Sequence, residues 1–215
     1  MPRLAPTTDV REAILDAAAA LLERLDYRRM TMDDIAREAR IGKATIYGYF
    51  AGKEEVAISV LDRFAARNRD RLAEIAAGSG SPEQRLRLIL RERVLRSWDW
   101  AQRHRLSMDD TLAALRPLVL PRREAYQAAD AAVIATVVDE GRRAGLFASE
   151  DTADVARTLL AAIGGLLPYN LSARELDDRA VVAARADRII DLLLHGLLTV
   201  PAPQVNKTMI DDRNE

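Results

Sequence analysis

The segment that most constrains the fold spans residues 31–53, which has the pattern of two short helices joined by a tight turn. Thr31 can cap the first helix through its hydroxyl, and Asp33 and Asp34 suit the positive N-terminal end of that helix. Its apolar residues recur at i, i+3, i+4 and i+7 and are Met32, Ile35, Ala36 and Ala39. Gly42 stands where the chain must turn steeply, and a residue without a Cβ removes the steric limit on φ there. We therefore predict two helices, the second beginning near Lys43.

The second helix is predicted to have one buried side and one polar, aromatic side. Ile46 and Phe50 lie four residues apart and share the buried side. The segment from residue 40 to residue 53 contains Arg40, Lys43 and Lys53 but no acidic residue, so we expect it to attract a polyanion without repelling it nearby. This pattern is typical of a DNA-reading helix-turn-helix. The alternative is an ordinary corner between two helices with a solvated, charged surface.

The residues of this segment resemble those of the TetR family of one-component transcriptional regulators. The family pattern begins with an aromatic residue after the first helix and continues to a Lys-Glu-Glu sequence. The matching residues here are, in order, Tyr27, Thr31, Ile35, Ala36, Gly42, Thr45, Ile46, Tyr47, Phe50, Lys53, Glu54 and Glu55. The resemblance in motifs covers about the first quarter of the chain, and a weaker likeness in helix pattern covers the rest.

The resemblance implies which side chains contact DNA. Thr31, Tyr47 and Lys53 are expected to hold backbone phosphates, which fix the register of the protein on the duplex. The residues expected to face the major groove are Lys43, Ala44, Thr45, Gly48 and Tyr49. The family often has histidine at the position of Tyr49, so its ring is expected either to stack along the DNA backbone or only to pack.

The remaining pattern indicates an all-α protein, because Ala and Leu dominate while aromatic residues make up 5% of the 215 residues. Helical patterns precede the motif and follow it at residues 53–78, 81–105, 107–115, 121–144, 152–167 and 178–199. Pro117 and Pro121 are predicted to interrupt the helices between residues 115 and 121. We predict a three-helix DNA-binding domain at residues 1–52, a helical bundle for effector binding and dimerisation at residues 53–200, and a disordered tail at residues 201–215.

The bundle is where an effector pocket is expected, because pockets between bundle helices are mostly apolar with a few polar groups. The candidate lining residues are Trp98, Trp100, His104, Met108, Asp109, Tyr126 and Tyr169. The alternative is that these side chains are ordinary core residues. The sequence does not identify the small-molecule effector.

The last two helices have such wide apolar faces that each needs cover on two sides. A second copy of the same helices would provide this cover in a four-helix interface about a twofold axis, and the family resemblance implies the same arrangement. The predicted interface residues are Leu159, Ile163, Gly164, Leu166, Ile189, Leu193 and Leu197. The alternative is two internal core helices of a monomer. A homodimer would present two recognition helices to a pseudo-palindromic DNA operator. In a repressor, the effector would weaken the binding of the protein to that operator.

Composition excludes several other classes of protein. The chain has no cysteine and therefore no disulfide or thiol switch, and it has neither a signal-peptide core nor an apolar run long enough for a bilayer, so a cytoplasmic location is expected. The formal net charge of -1 does not argue against DNA binding, because the local patch matters. His104 and His195 have no metal-ligand companion at helical spacing. We expect no catalysis, no metal and no cofactor; an effector-independent architectural DNA-binding protein remains the alternative.

Overall fold

A computed structural model describes residues 7–25, 27–103, 108–148, 151–168 and 178–198, and for residues 7–9, 108–115 and 118 it describes the backbone alone. Eight helices lie in these ranges. They are α1 (Thr7–Arg24), α2 (Met32–Ala39), α3 (Lys43–Tyr47), α4 (Lys53–Ala76), α5 (Pro82–Arg103), α6 (Met108–Arg143), α7 (Thr152–Gly164) and α8 (Arg179–Leu197). The described part of the chain contains no strand apart from an isolated antiparallel bridge between Phe147 and Leu198. The prediction of an all-α fold is confirmed.

Helices α1, α2 and α3 and the first turns of α4 share one hydrophobic core, which we call the head core. Its fully buried residues include Ile14, Leu15 and Ile35, and Val56 and Val60 of α4 belong to it as well. Burial of an aliphatic side chain of this size contributes roughly 2 kcal/mol. The head core thus extends past residue 52, so α4 is anchored in the same core that holds the helix-turn-helix.

A second hydrophobic core, the bundle core, lies among α4 to α8. Its completely buried residues include Leu72 of α4, Leu90 of α5, Ile134 of α6, Ile163 of α7 and Ile190 of α8. The second half of α4 belongs to this core while the first half belongs to the head core. Helix α4 is therefore a direct mechanical connection between the two cores.

The turn between α2 and α3 is built differently from the sequence prediction. The residue in the left-handed region is Arg40, with φ of 57°, whereas Gly42 has φ of -68°. The Arg40 and Ile41 amides donate to carbonyls in the last turn of α2, which satisfies groups that the helix end would otherwise leave unpaired. The prediction that Gly42 provides the unusual φ is wrong. Gly42 instead caps α3 from an extended conformation.

The proline prediction is also wrong. Helix α6 runs from Met108 to Arg143 with Pro117 and Pro121 inside it, so the expected separate helices form one. Both prolines and Leu120 are exposed. None of the helices that the structure describes is both long and apolar enough to span a membrane.

Candidate DNA-binding interface and regulatory core

Helix α3 is oriented by two buried side chains. Ile46 is completely buried and Phe50 is 2% exposed, so both anchor α3 in the head core. The opposite side of α3 is open, and its exposed residues are Lys43, Ala44, Thr45, Tyr47 and Gly48. Tyr49 is half-buried and packs against the head core. The orientation of the second helix that the sequence predicts is thus observed for the buried pair and for the exposed residues.

An acidic residue adjoins the basic surface, which the sequence analysis missed. The Lys43 ammonium donates to Oδ2 of Asp33 at 2.8 Å, and both side chains are largely exposed. This hydrogen bond is the main reason that the pKa of Lys43 is raised. The expectation of attraction without adjacent repulsion is therefore incorrect, because α2 brings Asp33 beside Lys43 from ten residues away in sequence.

Thr31 caps α2 as predicted. Its hydroxyl accepts from the Asp34 amide at 3.1 Å and donates to the Asp34 carboxylate at 2.7 Å, while its own amide donates to the same carboxylate at 3.1 Å. The Thr31 hydroxyl is the largest cause that lowers the pKa of Asp34. Two groups of Thr31 are therefore already engaged in a reciprocal capping box.

Lys53 holds the loop between α1 and α2. Its ammonium lies 3.4, 3.2 and 3.4 Å from the carbonyl oxygens of Tyr27, Arg28 and Met30. It also lies 4.8 Å from the centroid of the Tyr27 ring. Burial, followed by the Glu54 carboxylate, raises the pKa of Tyr27 to about 12. The Lys53 side chain thus has a structural role in addition to its predicted DNA contact.

The head is joined to the bundle by polar contacts as well as by α4. The Arg63 guanidinium on α4 lies 2.9 Å from Glu12 and 2.8 Å from Asp16 on α1. The residue before Arg63 on α4 is Asp62, to which the Tyr126 hydroxyl of α6 donates. Burial and this hydrogen bond raise the pKa of Tyr126 well above its usual value. These contacts connect α1, α4 and α6 near the junction of the two cores.

A group of polar side chains from α4, α5 and α6 lies next to this junction, and we call it the polar belt. Its members are Asn68, Arg69, Arg93, Arg96, Ser97 and Asp130. Arg93 donates through Nε to Asp130 at 2.7 Å and through Nη1 to Ser97 at 3.0 Å. Burial raises the pKa of Asp130, and the positive charges of Arg93 and Arg69 oppose that rise. The belt was not predicted, because its members are scattered over three helices and have no common sequence spacing.

The candidate effector residues are only partly brought together. Trp98 and Trp100 are half-buried on α5, and Trp100 packs against Phe64 of α4 with ring centroids 5.3 Å apart. Tyr126 is half-buried and bonded to Asp62, as described above. His104 and Tyr169 lie outside the described residues, and Met108 and Asp109 are described for their backbone alone.

The predicted dimer residues of α7 and α8 mostly face the chain's own core. Leu159, Ile163 and Leu197 are 3%, 0% and 7% exposed in the single chain, so their side chains are covered by the chain itself, and their part in a dimer interface stays a prediction. The reason is that α7 packs against α6 and α8 against α5, which cover these sides. The other predicted residues are intermediate in exposure and are Gly164, Leu166, Ile189 and Leu193.

The head and its exposed α3 define a helix-turn-helix protein of the class that inserts a short helix into the major groove of DNA. The sequence model described as "Bacterial regulatory proteins, tetR family" matches residues 14–60. The HTH-type transcriptional repressor NicS of Pseudomonas putida is 27% identical over 198 residues, which cover 87% of this chain and 92% of that protein. The HTH-type transcriptional regulator EthR of Mycolicibacterium smegmatis is 41% identical over 63 residues, 29% of each chain.

The likeness extends to the whole fold. A crystal structure of a TetR-family transcriptional regulator from Pectobacterium atrosepticum matches 92% of this chain and 100% of its own length, with a TM-score of 0.70 and 22% identity. Together these comparisons indicate a transcriptional regulator of the TetR family. Members of this family typically bind operator DNA and are released from it by small-molecule effectors.

Proposed function

We propose that this protein is a homodimeric repressor that binds a pseudo-palindromic operator through α3 and leaves it when an effector binds the bundle. The observation that carries the proposal is the orientation of α3, whose buried Ile46 and Phe50 leave a continuous outer side free for the major groove. The DNA-binding domain would occupy residues 1–52 and the effector and dimerisation domain residues 53–200. Such a regulator acts in the cytoplasm, because bacterial operators lie there.

The contact roles follow from exposure and chemistry. Lys43, Ala44, Thr45, Gly48 and Tyr49 would lie towards base edges. Lys43 would donate to guanine, and the Ala44 or Thr45 methyl group would contact a thymine methyl. Thr31, Tyr47 and Lys53 would contact phosphates and fix the register. Tyr47, which is 50% exposed, is the phosphate candidate whose removal least disturbs the head.

The first experiment is selection of bound duplexes from a random DNA pool, followed by titration of the selected operator with wild-type protein and variants. Tyr47→Ala is expected to weaken binding to operator and random DNA alike, because it removes a phosphate contact. Lys43→Ala should instead reduce the preference for the operator. The matched control is Arg67→Ala, an exposed residue of α4 away from the head core. If the pool yields no preferred sequence, the proposal fails.

For the dimer we propose the sides of α7 and α8 that face away from the bundle core. Leu192 on α8 is 76% exposed, and Val181, eleven residues earlier and so on the same side of the helix, is 42% exposed. A Cβ built on Gly164, Gly165 or Gly196 would meet no atom of the described residues within 4 Å apart from its own chain neighbours and helix backbone, so packing among the described residues does not require these glycines. Glycine in the interior of a helix costs about 1 kcal/mol relative to alanine, and close approach of a second copy at Gly196 would offset that cost.

The dimer is tested by Leu192→Glu, with Leu120→Glu as the control because Leu120 is 51% exposed on α6. Sedimentation equilibrium is expected to show a monomer for Leu192→Glu and a dimer for Leu120→Glu. Operator affinity should fall in parallel with dimerisation, because two recognition helices then no longer act together. A Leu192→Glu protein that remains a dimer would place the interface elsewhere.

The effector part of the proposal is separated from an effector-independent architectural protein by repeating the operator titration with a panel of small molecules. Release of the operator by any compound that binds the bundle supports a ligand-controlled repressor, because a ligand shifts the equilibrium only if it prefers the unbound conformation. Binding of DNA that no compound changes supports the architectural alternative.

A further inference from the structure

The polar belt contains more positive than negative charge. Arg69, Arg93 and Arg96 carry three guanidinium groups. Among the described residues, Asp130 is the one carboxylate found to interact with them. Asp130 and its partner Arg93 are 8% and 12% exposed, so this pair lies in a largely dehydrated region, with the half-buried Arg69 and Arg96 beside it. Like charges gathered in such a region repel each other and attract anions more strongly than they would at a water-exposed surface.

Two of the three guanidinium groups keep donors that the described residues do not use. Arg93 is committed, because it donates both to Asp130 and to Ser97. Arg96 donates through Nε to the buried Asn68 amide oxygen at 2.7 Å, and among the described residues no acceptor is found for its two Nη groups. The positive charge of Arg69 acts on Asp130, and no hydrogen bond joins Arg69 to any residue that the structure describes. Both side chains are half-buried, so they are accessible from outside.

An apolar wall lies one helical turn from these guanidinium groups. Phe64 precedes Asn68 by four residues on α4, and Trp100 follows Arg96 by four residues on α5, so the two levels are adjacent. The two rings pack against each other with centroids 5.3 Å apart and an interplanar angle of 37°. Both rings are only half-buried. The arrangement places an aromatic surface beside an anion-attracting one.

We propose that the polar belt binds a small organic anion, with its carboxylate or phosphate on Arg69 and Arg96 and its apolar body against Phe64 and Trp100. The proposal rests on the proposed function, since it gives the chemical class of the effector. Guanidinium groups bind carboxylate and phosphate through paired hydrogen bonds, and Asn68 holds Arg96 in a fixed orientation for this. An uncharged ligand of the same shape would leave the two cations without compensation.

The chain offers a direct probe of this region, because Trp98 and Trp100 are its two tryptophans and both belong to α5. The experiment is a titration of tryptophan fluorescence in the full-length protein with benzoate, hexanoate and phenyl phosphate. Benzamide and hexanamide are the uncharged counterparts. We expect saturable changes in fluorescence with the three anions, with dissociation constants of about 1 mM for such small probes. The uncharged amides should cause no such change. The phosphate and carboxylate arms identify which anion the belt prefers.

Arg69→Gln and Arg96→Gln should each weaken the binding of the preferred anion about tenfold, because each removes a charge-assisted hydrogen bond. Arg67→Gln, an exposed neighbour on α4, is the matched control and should bind like the wild type. Arg69→Lys and Arg96→Lys keep the charge but lose the planar guanidinium group, so they should bind the anion with intermediate affinity. They test the site even if a Gln variant does not fold. Anion binding that is equal in wild-type, Gln and Lys proteins would overturn the proposal, as would the absence of saturation by all three anions.

The operator titration keeps this inference distinct from the proposed function. If the preferred anion abolishes operator binding, and if this effect is smaller in Arg69→Gln, both the anion site and the proposed function are supported. Operator binding that responds to an uncharged compound but not to anions would overturn the anion site and leave the repressor intact. A protein that binds these anions through Arg69 and Arg96 but has no preferred duplex would retain the anion site and refute the operator role.

Discussion

The exposed side of α3 and the polar belt each contain a cation paired with an aspartate, and the pairs differ in their access to water. Lys43 and Asp33 are 47% and 64% exposed, whereas Arg93 and Asp130 are 12% and 8% exposed. Water screens the first pair, so Lys43 can leave Asp33 for another anion at little cost. The second pair has lost its hydration, so removing either partner leaves an uncompensated buried charge. The same chemistry therefore gives a switchable contact in one region and a fixed one in the other.

The largest effect that tests this comparison is expected from Asp130→Ala. Arg93 would remain buried without its carboxylate and next to Arg69, so the free energy of unfolding should fall by about 3 kcal/mol. Urea unfolding followed by circular dichroism measures this change. The double variant with Arg93→Met and Asp130→Leu should recover much of the loss, because it removes both charges.

The control for that prediction is Asp187→Ala, which breaks the more exposed pair with Arg91 at 2.9 Å. Its free energy of unfolding should change by about 0.5 kcal/mol or less. Equal losses in Asp130→Ala and Asp187→Ala would mean that burial does not distinguish the two kinds of pair. The contrast between the belt and the surface would then have no energetic basis.

The same contrast explains what the sequence could and could not predict. The capping of α2 by Thr31 and the inward direction of Ile46 depend on neighbours within a few residues, so local spacing was sufficient to predict them. The Asp33 contact with Lys43 depends on the angle between α2 and α3, which no spacing specifies. The polar belt requires three helices to meet. The wide apolar arcs of α7 and α8 were visible, but whether their own chain or a second copy covers them depends on the packing of α5 and α6.

Asp33→Asn should give a smaller effect, on DNA binding rather than on stability. Removing a carboxylate 2.8 Å from Lys43 takes away repulsion of phosphates and releases the ammonium. Binding to random DNA should tighten several-fold, with the slope of log K against log salt steeper by about one. The ratio of operator affinity to random-DNA affinity should fall, because Lys43 is no longer held in one position.

The matched control is Glu38→Gln, which removes an equal charge from the same helix but breaks the pair with Arg24 at 2.7 Å. Fluorescence anisotropy at several salt concentrations measures both variants against the same duplexes. A similar change in Glu38→Gln would mean that net charge matters and that the position of Asp33 does not. An unchanged ratio in Asp33→Asn would remove Asp33 from the factors that set specificity.

The smallest effect is a pH dependence at the start of α2. The Thr31 hydroxyl, with the Thr31 amide and Arg37, lowers the pKa of Asp34 in the folded protein, so the ionised carboxylate stabilises the fold. That stabilisation is present above the unfolded-state pKa of about 3.9 and is lost as the pH falls through the folded-state pKa. Wild-type protein should therefore be more stable than Asp34→Ala near neutral pH, and the difference should shrink below about pH 4.

Urea unfolding over a pH series measures this difference in stability. In a Thr31→Ala background the pH dependence of the difference should be weaker, because the main hydrogen bond to the carboxylate is gone. A difference that persists unchanged at low pH would show that Asp34 acts through packing. The charge of this water-accessible carboxylate would then make no contribution to the free energy of unfolding, contrary to the comparison with the belt.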